Sequence, residues 1–304
     1  MQPTVPFRGH RGPVYALIPG DAPRTFVSGS GDGLVVRWDL DRPEEGKVIA
    51  KVEQAVFSLL RTGPLLLIGT EGGDLHVVDH AQGRELHRFT VHHRGLFRMV
   101  ALDDQRVACA GGDGSLSIWQ WSTGDVTRFK LLRQIPLVEE KLRDLAVDRS
   151  GRLLAVACGD GSVRVLDTTL FNEHHTLNAH PGDAEVPAGA TSVAFHPTKP
   201  VLLTGGKDGH LRVWDLANNA RLLLGLPAHK GSIYRMAFDP TSSRLATASR
   251  DKSAKVWDAL SLDPVQRLDR LHGGHTHSVN DVLWTGPDGL VTAGDDRMIL
   301  AWTV

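Results

Sequence analysis

The chain has 304 residues, 34 Lys plus Arg against 35 Asp plus Glu, and a net charge of −1. No run of five or six like charges occurs, so bulk attraction to nucleic acid is not indicated. No stretch of 18 apolar residues is present, and the start MQPTVPFRGH lacks the charged head and apolar run of a signal peptide; a soluble, cytoplasmic protein with no membrane contact is expected.

The first segment, PTVPFRGH (3–10), has nothing local to pair with. Residues 13–40 then carry PVYALIP, TFVSGS and LVVRWDL, three short strands parted by tight turns. A weaker fourth strand follows each such unit, as in RELHRFTVHH and RLLLGLPAH. The cadence is clearest in residues 231–259, where IYRMAF, RLATAS and SAKVWDA are separated by turn-forming DPTSS and RDK. Five tryptophans, Trp38, Trp119, Trp214, Trp257 and Trp302, each follow an aspartate by six residues, at Asp32, Asp113, Asp208, Asp251 and Asp296. Val78 and Leu166 hold the same place in two further units. Successive steps from 38 to 302 are 40, 41, 47, 48, 43 and 45, close to the roughly 40–45 residues of a four-stranded propeller blade. Seven units of one four-strand meander predict an all-β, seven-bladed propeller in a single domain over residues 1–304.

After Trp302 only two residues remain, so the seventh unit lacks its fourth strand. Residues 3–8 are expected to supply it, with Pro3 and Pro6 tolerated on an outermost strand. Deleting residues 1–9 should then open the ring. Cys109 and Cys158 lie in matching strands, VACAGGDG and LAVACGDG, and read as small buried hydrophobes, with a disulfide as the lesser alternative. Neither belongs to a CxxC pair, so no structural zinc site is indicated.

The chain resembles the WD-repeat (WD40) seven-bladed propeller family over essentially its whole length. The carrying motifs are RGH, SGSGDG and RWD in unit one; AH, TGGKDG and VWD in unit five; AH, TASRD and VWD in unit six; and GGH, TAGDD and Trp302 in unit seven. The resemblance implies a hydrogen-bonded set in each blade of histidine, hydroxyl, aspartate and tryptophan. Four blades match in full: His10 with Ser28, Asp32 and Trp38; His180 with Thr204, Asp208 and Trp214; His229 with Thr247, Asp251 and Trp257; His275 with Thr292, Asp296 and Trp302. An indole N–H can only donate, a hydroxyl accepts it and donates onward, and a carboxylate ends the chain. Unit three keeps His93, Asp113 and Trp119 but has Cys109 where the hydroxyl belongs. Unit four has Val156 and Leu166 and no matching histidine, and unit two lacks nearly everything. Blades two to four are therefore expected to rest mainly on apolar packing.

Ser, His and Asp in one unit suggest a hydrolase triad, but four equivalent copies argue for a scaffold. His272, His275 and His277 are close in sequence, yet His275 is already assigned and no physiological metal site follows. His92, His174 and His175 read as exposed loop residues. The glycine-rich GDG segments lie between strands, as turns, and not before a helix where they would cradle phosphate.

The resemblance also implies that one position on each innermost strand rings the mouth of the central channel, where partners dock. Alignment puts Tyr15, Phe57, Phe97, Arg143, Thr191, Tyr234 and Asn280 there. The residues before each turn aspartate share that face: Gly31, Glu71, Gly112, Gly159, Lys207, Arg250 and Asp295. An aromatic arc of Tyr15, Phe57 and Phe97, with Tyr234 beyond, then faces a basic arc of Lys141, Arg143, Lys207 and Arg250. Aromatics with arginine are the residue types that dominate protein interfaces, against the alternative that some rings plug the channel. His180 stands 34 residues before its tryptophan, against 28, 28 and 27 in the other full sets, so the loop over 178–190 is an insertion expected on the same face.

These features point to a non-enzymatic protein–protein interaction scaffold without cofactor or metal, docking proteins or peptides that bear acidic and apolar residues. It is read as a monomeric propeller or a subunit of a larger complex. A reader of methylated lysine is the alternative, since mouth aromatics could cage such a cation, and a propeller enzyme ranks below it.

Overall fold

A computed structural model describes residues 5–122 and 127–304. Among these, 28 strands form seven sheets of four antiparallel strands each. Six of the sheets are meanders of four consecutive strands, such as Val14–Pro19, Thr25–Ser30, Leu34–Asp39 and Arg42–Lys51 in blade one. The first strand of every blade lies against the first strand of the next, and blade one against blade seven, which closes the ring around a channel.

Closure follows the expected route. Val5–Phe7 pairs antiparallel with the last strand, Ile299–Thr303, in the register Val5 to Ala301 and Phe7 to Ile299. Pro6 sits in this outermost strand and Pro3 lies outside the described residues. Phe7 is buried with its ring 5.1 Å from Phe26 and 5.7 Å from Trp38. The terminal strand thus covers an open sheet edge and also fills the core between blades seven and one, where Val14, Leu17, Val291 and Ile299 meet.

Second strands such as Thr25–Ser30 and Leu65–Thr70 are buried along their whole length because each sheet packs both of its faces against neighbouring blades. The resulting cores lie between blades, one of them built from Leu142, Leu145, Leu154, Val156, Cys158 and Leu166. Cys109 and Cys158 are free thiols, fully buried, and burial pushes both up to about 12. They are the small hydrophobes their neighbours suggested.

All four complete hydrogen-bonded sets form. In blade six, His229 Nδ1 lies 3.0 Å from Asp251, His229 Nε2 lies 2.7 Å from the Thr247 hydroxyl, and Trp257 Nε1 donates to that hydroxyl at 3.0 Å. Blade one repeats this through Trp38 to Ser28 at 2.8 Å and His10 to Asp32 at 3.1 Å. Blade five uses Trp214, Thr204, His180 and Asp208, and blade seven Trp302, Thr292, His275 and Asp296. The four hydroxyl residues are fully buried, each between an indole donor and an imidazole, so no substrate could reach them as nucleophiles.

Blade three corrects two expectations. Its histidine is His92, fully buried and not an exposed loop residue; Nδ1 lies 3.0 Å from Asp113, while His93 contributes only its backbone N–H to that carboxylate. Its hydroxyl is Ser117, which lies 2.8 Å from His92 Nε2 and accepts from Trp119 at 3.0 Å. Ser117 is the direct ladder partner of Cys109. The hydroxyl has crossed to the neighbouring strand at the same level, and the imidazole and indole reach it there, so blade three does not rest on apolar packing alone.

Blade two is also less bare than expected. The side-chain carbonyl of Gln54 accepts from the Thr70 hydroxyl and the Gly72 N–H, at 2.9 and 2.8 Å. Asp74 holds Arg88 and Thr90, each at 2.7 Å. Blade four follows the expectation, with Val156 and Leu166 in its apolar core.

Candidate functional site at the channel mouth

One irregularity recurs in all seven blades and builds the site. The register between first and second strands slips at Val14/Ala16, Val56/Ser58, Leu96/Arg98, Leu142/Asp144, Ala190/Ser192, Ile233/Arg235 and Val279/Asp281. The skipped residues are Tyr15, Phe57, Phe97, Arg143, Thr191, Tyr234 and Asn280, the seven mouth positions. A bulge leaves its extra residue unpaired, bends the strand and re-aims the side chain. Regular strand residues would alternate between faces. Here consecutive pairs, Phe97 with Arg98, Arg143 with Asp144, Tyr234 with Arg235 and Asn280 with Asp281, line one cavity of about 350 Å³.

The upper ring is aromatic on one side. Tyr15 meets Phe57 edge to face at 5.2 Å between ring centroids, and Phe57 stacks on Phe97 at 5.4 Å. The Arg143 guanidinium lies 4.6 Å above the Phe97 ring, and the Lys141 ammonium 5.4 Å from it. Burial lowers the pKa of Arg143, opposed only by Tyr234; the guanidinium has no carboxylate partner among the described residues. Tyr234 is raised by burial, against the pull of Arg250 and Arg143. Tyr15 is also raised by burial, with Asp295 and Glu71 adding to it. Thr191 is committed inward, donating to the Ile233 carbonyl at 2.7 Å. Asn280 Nδ2 donates to the Val14 carbonyl at 3.0 Å and to Asp295 at 2.8 Å.

The lower ring is charged. Arg235 reaches Asp144 at 3.0 Å and Asp281 at 3.3 Å, and Arg98 lies 3.3 Å from Asp144. Asp281 also accepts the Leu17 N–H at 2.8 Å and Asp144 the Val193 N–H at 3.1 Å. This chain of contacts crosses the channel and gives the cavity a floor. Arg98 keeps 19% of its side-chain surface exposed and lines the cavity, and burial together with neighbouring Arg235 pushes its pKa down to about 10. Burial raises Asp281 despite Arg235 and Arg98. The clue lay in the residue after each mouth position, where Arg98, Asp144, Arg235 and Asp281 interrupt strands that otherwise face a core.

The expected partner-binding residues are not equivalent. Tyr15, Phe57, Phe97, Arg143 and Tyr234 line the cavity together, Lys141 covers Phe97 from the rim, and Arg250 is exposed beside Tyr234. Lys207 is engaged elsewhere: its ammonium donates to the Ala188 carbonyl at 2.7 Å and its N–H to the Gly189 carbonyl at 2.9 Å. It fastens the 178–190 loop beside the mouth, with Asp183 and Glu185 of that loop exposed. The aromatic faces do not form a vacant cage, since Phe57 stacks on Phe97 and Arg143 and Lys141 lie over Phe97. Of the three clustered histidines, His272 pairs with Asp269 at 2.8 Å and His277 with the Thr276 hydroxyl at 3.0 Å.

The profile of the WD domain, G-beta repeat, matches residues 1–39, 137–167, 171–215 and 220–258, half of the chain. The chain belongs to this family. Among curated proteins it is 25% identical over 170 residues to WD repeat-containing protein 90 of Xenopus tropicalis, covering 55% of this chain and 9% of the relative. It is 31% identical over 134 residues to transducin beta-like protein 3 of Mus musculus, covering 43% of this chain and 15% of the relative. The ribosome biogenesis protein YTM1 of Coprinopsis cinerea is 23% identical over 224 residues, 73% of this chain and 48% of that protein. The chain thus spans less than half the length of each of these relatives. No helix of the described residues is long and apolar enough to cross a membrane.

Proposed function

We propose that this WD-repeat propeller is a non-catalytic scaffold that docks partner proteins or peptides at the channel mouth. The observation that carries the reading is the desolvated Arg143, stacked on Phe97 beside Phe57 and Tyr15 in a cavity of about 350 Å³ and without an anionic partner among the described residues. Aromatic and arginine side chains around a concave pocket give large contact area at low entropic cost, and arginine brings charge-assisted hydrogen bonds to a carboxylate. The partner class that matches is a segment with acidic and apolar residues. Family membership and a relative named for ribosome biogenesis support a role within a protein assembly. The repeated Ser/Thr–His–Asp sets give no support to catalysis, because their hydroxyls are fully buried.

The test is affinity capture with wild type and with the variant Tyr15→Ala/Phe97→Ala/Arg143→Met/Arg250→Gln, followed by mass spectrometry, after both proteins show matching thermal melts. Proteins held by wild type should be lost from the variant, each with a loss of about 30-fold or more in affinity when re-measured with purified partner. Retention of every captured protein by the folded variant would remove the mouth as the docking face.

A further inference from the structure

Charges of both signs ring the cavity, Arg143, Lys141 and Arg250 on blades four and six and Glu71 and Asp295 on blades two and seven. Arg143 and Arg250, from blades four and six, both bear on Tyr234, and Lys141 lies over Phe97 from blade four. Glu71 of blade two and Asp295 of blade seven both bear on Tyr15, and Asp295 also bears on Tyr234. None of these five groups forms an ion pair with another among the described residues. Elsewhere on the surface opposite charges do pair, as Arg24 with Asp41 at 2.7 Å and Arg164 with Glu173 at 2.8 Å. At the mouth Arg143 of blade four and Glu71 of blade two stand on either side of the blade-three Phe97, whose ring lies between the Arg143 guanidinium and the stacked Phe57. Below, Asp144 and Asp281 are already met by Arg235 and by the Val193 and Leu17 N–H groups. The two floor carboxylates are therefore satisfied, although the buried Arg98 Nε has no hydrogen-bond partner, and Arg143, Arg250, Lys141, Glu71 and Asp295 on the walls have no ion-pair partner among the described residues.

Resting on the docking reading above, we infer that the mouth selects a bipolar peptide segment. An acidic residue lies on the Arg143 and Arg250 wall, a basic residue lies on the Glu71 and Asp295 wall, and an apolar side chain between them packs on Tyr15, Phe57 and Phe97. The arrangement fixes the direction in which the segment crosses the mouth, because the reversed peptide brings like charges together on both walls. A lone acidic or lone basic peptide satisfies only one wall. The exposed Lys141 and Arg250 steer the approach, whereas the desolvated Arg143 holds the complex.

The experiment selects phage-displayed random heptapeptides on the immobilised full chain and on three variants. They are Arg143→Met, Glu71→Gln/Asp295→Asn, and Tyr15→Ala/Phe57→Ala/Phe97→Ala, with thermal melts confirming folding and Arg250→Gln replacing Arg143→Met if the latter fails to fold. Wild type should enrich sequences with one acidic and one basic residue flanking an apolar one in a constant order. Arg143→Met should lose the acidic preference alone, and the double carboxylate variant the basic preference alone. In fluorescence anisotropy, the best labelled peptide should weaken about 30-fold on wild type when its acidic residue becomes the amide. Enrichment of a single charge sign, of both orders equally, or of sequences unchanged by either charge variant overturns the bipolar inference while docking stands. Failure to enrich any sequence, or enrichment indifferent to the triple aromatic variant, overturns the docking reading itself.

Discussion

Blades three and five hold the same four groups, an imidazole, a hydroxyl, an indole and a carboxylate, but build them from different strands. In blade five the hydroxyl is Thr204 on the second strand, ladder partner of Arg212. In blade three it is Ser117 on the third strand, ladder partner of Cys109. The donor and acceptor geometry is nevertheless the same, with Trp119 and Trp214 reaching their hydroxyls at 3.0 and 3.1 Å. What the blade requires is a hydroxyl at one level of the sheet, from whichever strand, so that neither the indole nor the imidazole is left buried and unpaired. Blade four makes the complementary point. With Leu166 in place of the indole it needs no hydroxyl, and Val156 and apolar neighbours suffice.

Acid separates these blades most strongly. Burial lowers the pKa of His10, His92, His180 and His229 against the opposing pull of their aspartates. The folded chain therefore binds fewer protons than the unfolded one once pH drops below the ordinary histidine value. The stabilisation is complete above about pH 6.5 and is lost as pH falls through the lowered values, at up to about 1.4 kcal/mol per pH unit for each histidine. Their carboxylates add to this in stronger acid. Burial alone would raise Asp32, Asp113, Asp208 and Asp251, but hydrogen bonds and the histidines outweigh it and all four are lowered. That contribution is lost only below about pH 4. Urea unfolding should show lower stability at pH 5.5 than at pH 7.5, and hydrogen exchange at the two pH values should place the loss of protection in blades one, three, five and six before blade four. Equal loss in blade four would contradict the assignment.

Within blade three, moving the hydroxyl is the sharper probe. Ser117→Val should cost about 1–3 kcal/mol by stranding His92 and Trp119. Adding Cys109→Thr to that variant should recover most of the loss, since the hydroxyl returns to the level used by Thr204 in blade five. Val156→Thr in blade four should destabilise by a similar amount, with neither imidazole nor indole to receive the new hydroxyl. Chemical unfolding of the three variants and of Cys109→Thr alone closes the cycle. A double variant no better than Ser117→Val would mean that the exact strand matters after all.

The period of Asp and Trp made the seven blades and the ring closure by the N-terminal strand legible from sequence, because each rests on local spacing, whereas the four complete hydrogen-bonded sets follow from the resemblance to the WD-repeat family. Blade three hides its histidine and its hydroxyl from the sequence pattern. The pair His92–His93 offers two imidazoles one residue apart, and only the strand geometry shows which of them faces Ser117. The repeat aligns the mouth residues and the family resemblance places them at the channel, but neither points to their neighbours Arg98, Asp144, Arg235 and Asp281, since strict alternation sends adjacent residues to opposite faces and a bulge does not announce itself in sequence. Lys207 looked like a free cation because its partner, the Ala188 carbonyl, belongs to a loop whose path depends on tertiary placement.

The smallest contrast concerns the residue after each turn aspartate. In blades one and five it is glycine in the left-handed region, Gly33 at φ +77° and Gly209 at φ +70°, and a Cβ there would come within 2.3 Å of the Val52 carbonyl and 2.2 Å of the His229 carbonyl. In blades six and seven the same turn holds Lys252 at φ +70° and Arg297 at φ +67°. An L-residue in this region costs about 1–2 kcal/mol, whereas glycine gives back about 0.4–1 kcal/mol through the freedom of the unfolded chain. Lys252→Gly should therefore stabilise by up to about 1 kcal/mol, and Gly33→Ala should destabilise by more than that, because it adds the carbonyl clash to the strained backbone. Urea titrations of the two variants test the pair. A destabilised Lys252→Gly would show that the lysine side chain, and not its backbone, is what holds the blade-six turn.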